Sequence, residues 1–321
     1  MKPDPLIDII ILDWSCPHIL RCLAALDADC SDGQRVHLMT NKREVLDACG
    51  LMRKLSLRTT FLDENLGFAR ANNWAVSQSQ AEWVVLLNPD AIVRPGWREA
   101  MSEVLCDVED CVACVGSVQL TGRDDDQIDG IGDSYHVSGI ARRIGHGRKR
   151  SGLDICRLTR AMFSACAAAV AYRRDVYCRA GGFDESFFCY MEDVDLGFRL
   201  RLLGHRSTLA TRAVVHHVGG ASSGGGRSSF AIYHGQRNLV WTFVKNMPGW
   251  SLWALLPLHL GANALLMAWH AIHGHGRVVL RAKLDAIRGI GAVFRCRSEV
   301  QASRQTAALD ILRQMTIWPW V

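Results

Sequence analysis

A chain of 321 residues, 49% hydrophobic and 21% charged, has ample apolar material for a core, which excludes an intrinsically disordered protein. Its formal charge of +5 is unevenly placed: from Lys245 onward nine Lys/Arg stand against three Asp/Glu, while the preceding 244 residues are nearly neutral. That distribution excludes a nucleic-acid binder with a basic body and leaves a basic end that calls for an anionic partner or for solvent.

Residues 7–12 form a β-rich apolar run, and the opening MKPDPLIDIIILDWS has acids within it and no small-residue cleavage pattern, so it predicts a strand and no signal peptide. Residues 17–26 predict a helix with Cys22, Leu23 and Leu26 inward. Next come a strand over 36–39, a helix over 44–52, a strand over 57–62 and a helix over 68–77. A fourth strand over 82–87 ends sharply at Asn88, Pro89 and Asp90. Nearly continuous apolar strands alternating with helices predict an α/β fold with one mostly parallel, helix-covered sheet. Such sheets collect ligands beyond the carboxyl ends of their strands, where Asp13, Thr40, Asn65 and Asp90 fall.

Residues 121–158 are polar, Gly-rich and carry runs of opposite charge, which fits either a loop over an active-site edge or a solvated excursion. An apolar strand over 162–172 returns to the core, followed by a short helix over 175–180 and a longer one over 194–203, ended by Gly204. A Gly/Ser loop, GGASSGGGRSS, precedes a helix over 230–246. Residues 252–272 then contain no Asp, Glu, Lys or Arg and are long enough to cross a bilayer. Pro257, His259, Gly261, Asn263 and His270 interrupt the run, so crossing, lying in the interface and packing within the protein or a homodimer all stay open. Arg277, Arg281, Lys283, Arg288, Arg295 and Arg297 follow, interleaved with apolar residues, as suits an anionic cytoplasmic leaflet or an ordinary solvated face. The expected organisation is a catalytic domain over 1–245 and a helical, membrane-associating or oligomerising region over 246–321.

Twelve cysteines show no second pair at zinc-site spacing beside Cys111 and Cys114, and read as buried free thiols of a reducing cytosol. Three groups of residues carry the chemical interest. Asp90 ends a buried strand in LLNPD, where a carboxylate can hold a divalent ion and, through it, a diphosphate. Glu192, Asp193 and Asp195 open an amphipathic helix behind Phe183, Phe187, Phe188 and Tyr190. One of these acids caps the helix, and another can act as a general base. Of His216 and His217, adjacent on a strand, one can complete a metal shell around Asp90, because neighbours face opposite ways. Arg227, in the glycine loop beyond them, can supply positive charge to a diphosphate.

With those residues placed, the chain resembles the large family 2 of inverting glycosyltransferases, and within it bacterial rhamnosyltransferases. The matching blocks are IDIIILDWS, ENLGFARANNWAV, AEWVVLLNPDAIVRPGW, GGFDESFFCYMEDVDLGFRLRLLGHR and AVVHHVGGASS, spanning nearly all of residues 6–245. The resemblance implies a GT-A fold with one nucleotide-sugar-binding domain and Asp90 as ligand to Mg2+ or Mn2+. Asp193 becomes the base that takes a proton from the acceptor hydroxyl, with Glu192 on the acceptor side and Asp195 structural. Asn65, Asn72, Asn73 and Asn88 in these blocks are expected on the donor side. Members of the family carry an acidic residue after the second strand, where this chain has Thr40, and Asp13 on the neighbouring strand is the expected substitute.

The implied donor is dTDP-rhamnose, with a UDP-hexose or UDP-N-acetylhexosamine as the alternative. The implied acceptor is a polyprenyl-diphosphate-linked saccharide of surface polysaccharide assembly, met by a peripheral protein on the cytoplasmic face of the inner membrane. A non-catalytic membrane scaffold is the competing reading from another class.

Overall fold

The computed structural model describes residues 5–121, 126–219 and 228–317. Its first part is the expected alternation: β1 (Ile7–Asp13), α1 (Ile19–Asp29), β2 (Gln34–Thr40), α2 (Arg43–Ala48), β3 (Leu55–Phe61), α3 (Phe68–Ser77) and β4 (Trp83–Leu87). The strands carry unbroken apolar runs because both of their faces are covered, and Trp83, Val84, Val85, Leu86 and Leu87 are all buried. There follow β5 (Ala91–Val93), α4 (Trp97–Asp107), β6 (Val112–Thr121), β7 (Ile128–Gly130), β8 (Asp133–Tyr135), β9 (Ala141–Arg143) and α5 (Ile155–Thr159). Then come β10 (Ala169–Arg173), α6 (Arg174–Arg179), α7 (Glu192–Leu202) and β11 (Arg206–His217).

Among the described residues one nine-stranded sheet runs β3-β2-β1-β4-β10-β6-β11-β5, with β7 on β6, and β8 pairs with β9 apart from it. Pairing is parallel along β3-β2-β1-β4 and between β6 and β11, whereas β5, β7 and β10 run against them. The sheet is mostly parallel, with the chain crossing back through its middle at β10.

Three expectations change. The apolar run over 162–172 is a strand only over Ala169–Arg173. Upstream, the Arg201 guanidinium takes the carbonyls of Met162 (2.5 Å) and Phe163 (2.6 Å), which removes them from any ladder. Of the polar stretch over 121–158, residues 126–158 are built into the body of the protein, since they supply β7, β8, β9 and the start of α5 and bury Asp133, Ser134 and Tyr135. All twelve cysteines are free as expected, but Cys156, Cys178 and Cys296 are exposed.

The C-terminal region is α8 (Ser229–Asn246), α9 (Ser251–Ile272), α10 (Gly276–Arg288), α11 (Ile290–Ala302) and α12 (Ala308–Arg313). Phe243, Met247, Val293 and Ile311 from these helices share one apolar cluster with Tyr135, Phe163 and Phe198 of the sheet-bearing part. Two of the six basic residues read as surface charge are used internally. Lys283 is buried and donates to the Gln236 carbonyl at 2.7 Å, and Arg297 donates to the Val244 and Met247 carbonyls at the end of α8.

Helix α9 is turned inside out. Beyond its first turn, where Ser251 and Leu252 are buried, the buried residues are His259, Asn263 and His270, which interrupt the apolar run, while Leu265 and Ile272 are 75% and 80% exposed. His259 Nδ1 donates to the Ser138 carbonyl at 2.7 Å, and Asn263 bonds the His259 carbonyl at 2.8 Å. The polar stripe holds the helix to the protein and the apolar stripe faces outward.

A buried ion network fixes α7 to α8. The Asp195 carboxylate, fully buried, accepts from Arg199 (2.8 Å), Lys245 (2.8 Å) and Asn246 (2.7 Å). Lys245 also reaches Asp184 at 2.5 Å. Removing the shared anion strands the buried Arg199 and leaves Lys245 with Asp184 alone, so Asp195→Ala is expected to cost about 3–5 kcal/mol. A urea unfolding midpoint unchanged in this variant contradicts that role.

Candidate functional site

Beyond the carboxyl ends of β1, β4 and β11 lies a cavity of about 440 Å³. Trp14, Asn65, Asn88, Asp90, Asp193 and His217 are part of its lining. This is where a parallel sheet presents its ligands, and the turn residues after each strand reach it because the strands stop at that edge.

The acids enter from the first turn of α7. Asp193 is half-buried, its Oδ1 accepts from the Val194 amide at 2.8 Å and its Oδ2 from the Ala167 amide at 3.1 Å. Glu192 is buried, and its Oε2 finds no hydrogen-bond partner among the described residues. Burial and then the neighbouring Asp193 charge push the Glu192 carboxyl well above the ordinary range, toward its neutral form. Asp195 points away into the ion network described above, as its expected structural role requires.

The segment that delivers these acids is strained. Phe188, Tyr190 and Met191 have φ of 65°, 66° and 70°, a region that costs a residue with a side chain roughly 1–2 kcal/mol. It is held from two sides. The Phe188 carbonyl accepts from the Phe68 amide at 2.8 Å, at the start of α3, and Gly67 is required there because a Cβ would fall 2.6 Å from the Phe188 ring. From α8, the fully buried Asn238 donates its Nδ2 to the carbonyls of Phe187 (3.1 Å), Cys189 (3.0 Å) and Tyr190 (2.8 Å). Arg237 adds bonds to the Ser186 and Phe187 carbonyls, both at 3.0 Å.

Asp90 follows β4 and is buried, with His217 Nε2 3.5 Å from its Oδ1. His217 Nδ1 pairs at 2.8 Å with Asp129, which also accepts from Arg143 at 3.0 Å. Burial opposes a charged His217, but the hydrogen bonds with Asp129 and Asp90 dominate and raise it to about 9. Burial likewise opposes ionisation of Asp129, and the His217 bond and Arg143 charge hold its carboxyl below the ordinary range. Raised in this way, the ring donates from both nitrogens; with Nδ1 committed to Asp129, Nε2 is the nitrogen that would give up its proton to a divalent ion held at Asp90. No three His, Cys, Asp or Glu side chains among the described residues form a complete cage. A hard ion bound by one or two protein groups and substrate phosphates needs none.

The expected residues divide. Asn65, Asn88, Asp90, Glu192, Asp193 and His217 line the cavity. His216 does not: its Nδ1 faces the Thr121 carbonyl at 3.3 Å on the other side of the strand. Asp13 and Thr40 are fully buried and bound to each other at 2.6 Å, so neither offers an edge to a nucleotide base. Asn72 turns into its own helix toward the Phe68 carbonyl, and Asn73 bridges Tyr177 and Phe183 in a structural clasp. Arg227 lies outside the described residues. The sequence reading missed Trp14, Asp133 and Arg143 as cavity residues, and Asp129 behind His217. Asp133, raised to about 7 by burial and then by the Asp193 charge, and Asp129 sit in a stretch whose acid runs carry no periodic signal.

The model of a family described as glycosyltransferase-like family 2 matches residues 18–239. The O-antigen biosynthesis protein RfbC of Myxococcus xanthus is 32% identical over 164 residues, which is 48% of this chain and 12% of that protein. The N-acetylglucosaminyl-diphospho-decaprenol L-rhamnosyltransferase of Mycobacterium tuberculosis H37Rv is 32% identical over 117 residues, 36% of this chain and 38% of that one. The chain therefore spans well under half the length of either relative. Among solved structures, the mannosyltransferase PcManGT of Pyrobaculum calidifontis, in complex with GDP-Man and Mn2+, superposes with a TM-score of 0.54 at 16% identity, covering 94% of this chain and 85% of its own. S. aureus TarS 1–349 with UDP-GlcNAc gives 0.55 at 14% identity, covering 96% and 89%. The fold is that of the GT-A glycosyltransferases.

Asn238→Ala removes three bonds from the strained segment. Amide hydrogen exchange over residues 187–193 is expected to rise at least tenfold while that of β1 and β4 stays unchanged. Equal protection in both proteins contradicts the clamp.

Proposed function

The chain belongs to glycosyltransferase-like family 2, and on that premise we propose that it is an inverting, metal-dependent transferase moving L-rhamnose from dTDP-rhamnose onto a hydroxyl of a polyprenyl-diphosphate-linked saccharide. The observation that carries the reading is one cavity lined by both Asp193, at a helix N-terminus, and the Asp90–His217 pair. The names of the O-antigen and rhamnosyltransferase relatives support the sugar and the carrier. The outward apolar face of α9, with the exposed Arg277, Arg281, Arg288 and Arg295 beyond it, supports a peripheral position on an anionic, cytoplasmic membrane face.

In this reading Asp193 accepts the proton of the acceptor hydroxyl as its oxygen bonds to the anomeric carbon. The bond from that carbon to the diphosphate breaks on the opposite face, so the configuration inverts. The Val194 and Ala167 amides hold the Asp193 carboxylate in place for that transfer. Glu192 beside it, pushed toward its protonated form by burial and the Asp193 charge, can in that form donate to an acceptor oxygen without adding a second negative charge. Asp90 and His217 would hold Mg2+ or Mn2+, whose chemistry is to offset the charge of the departing nucleoside diphosphate. Asp129 positions the His217 ring and Arg143 holds Asp129. With Asp13 and Thr40 buried, the donor's base meets the cavity at Trp14 and Asn65.

Asp193→Asn is expected to abolish transfer and leave nucleotide affinity within about threefold, measured by product formation and by calorimetry; retained turnover removes Asp193 as the base. Asp90→Ala and Asp129→Asn are each expected to weaken Mn2+-dependent nucleotide binding, the second by about 10–100-fold through the freed imidazole. A metal titration unchanged in both moves the ion elsewhere. A screen of dTDP-rhamnose, UDP-glucose and UDP-N-acetylglucosamine with acceptor present distinguishes the donor, and no turnover with any of them sinks the transferase reading.

A further inference from the structure

The β8–β9 hairpin has two faces, and both border cavities. Asp133, Ala141 and Arg143 line the catalytic cavity, whereas the alternating residues Ser134, Ile140 and Arg142 line a second one on the far side. Strand geometry requires this, since successive side chains point to opposite faces of the hairpin. The second cavity, of about 880 Å³, is closed by α9 through Leu258, Gly261, Leu265 and Trp269. Along α9 the lining runs from Pro257 to Trp269, about 18 Å of helix. The turn of the hairpin is clasped to α9: His259 bonds the Ser138 carbonyl, and a Cβ on Gly139 would lie 2.7 Å from the His259 ring.

We propose that this groove seats the polyprenyl chain of the lipid-linked acceptor, with the acceptor's diphosphate at Arg142 and its saccharide passing over the hairpin edge to Asp193. The assignment rests on the transfer reading above and adds a site to it. The occupant must be long, apolar and anionic at the end nearest the hairpin. Beside its apolar lining, the groove carries Arg142, and no carboxylate lines it among the described residues. It also adjoins the outward apolar face of α9, where Leu265 and Trp269 are exposed, so a chain can enter from the bilayer without crossing water. A bilayer acyl chain or a second copy of the protein would satisfy the apolar wall alone. Neither accounts for a groove that shares its other wall with the catalytic cavity.

The test uses the full-length protein in detergent micelles and a prenyl diphosphate carrying a terminal photoreactive benzophenone. Cross-linking is expected within residues 257–269 and 134–142, displaced by undecaprenyl phosphate and not by equal phosphatidylglycerol. Label confined to the outer-face residues Trp253 and Leu260, or displaced equally by phosphatidylglycerol, overturns the proposal in favour of a plain lipid surface. Label lost on dimerisation overturns it in favour of a second copy.

Gly261 lines the groove and has open space around its Cβ position, so Gly261→Phe starts unobstructed and directs a ring into the groove. At least a tenfold loss of labelling is expected, together with collapse of the preference for long-chain over short-chain prenyl acceptors; unchanged labelling overturns the groove. Labelling needs no turnover. An active enzyme without label therefore sinks the groove alone, and a labelled protein that transfers no sugar sinks only the transfer reading.

Discussion

One buried amide, that of Asn238, bonds the carbonyls of Phe187, Cys189 and Tyr190 and holds the cavity end of this protein in place. Phe188, Tyr190 and Met191 lie in a backbone region that side chains disfavour, and the segment aims Asp193 at the cavity only while it stays there. Each bond from Asn238 contributes on the order of 0.5–1.5 kcal/mol, comparable with the strain of one such residue. The remainder comes from the Phe188 carbonyl at the start of α3 and from Arg237. Asn238 and Arg237 belong to α8, so a helix outside the sheet is part of the site.

That dependence explains why α7 and α8 are joined so heavily below the cavity. Asp195 binds three side chains with no exposure to water, which makes sense only if its helix must not rotate. One acid of the triplet, Asp195, holds the helix still while another, Asp193, faces the cavity. The third, Glu192, has its carboxyl pushed well above the ordinary range by burial and by its neighbour, which favours the form that limits the repulsion of several acids in one small space. His217 and Arg143 supply the compensating positive charge around Asp90 and Asp129.

The β8–β9 hairpin carries the same logic outward. Its one face meets the acids, its other face meets α9, and its turn is fixed to α9 by His259. One element therefore touches both the cavity that holds Asp193 and the apolar periphery of α9, which is the connection the proposed acceptor groove relies on.

Much was legible from composition and periodicity. The alternating strands and helices of the first ninety residues, the sheet edge where Asp90 and Asn88 emerge, and the helix opened by Glu192 follow from local patterns, because burial on both faces writes continuous apolar runs and helix starts favour acids. Residues 162–168 were not legible as irregular backbone, since the Arg201 side chain that claims their carbonyls lies far along the chain. Nor were Asp129 and Asn238, whose partners are 88 and about 50 residues away. In α9 the sequence by itself determined a long apolar helix with polar breaks; only the tertiary structure decided that His259, Asn263 and His270 face inward while Pro257 and Gly261 do not. Which side of a helix meets the protein depends on what is offered by distant segments, here the Ser138 carbonyl, and no local pattern contains that information.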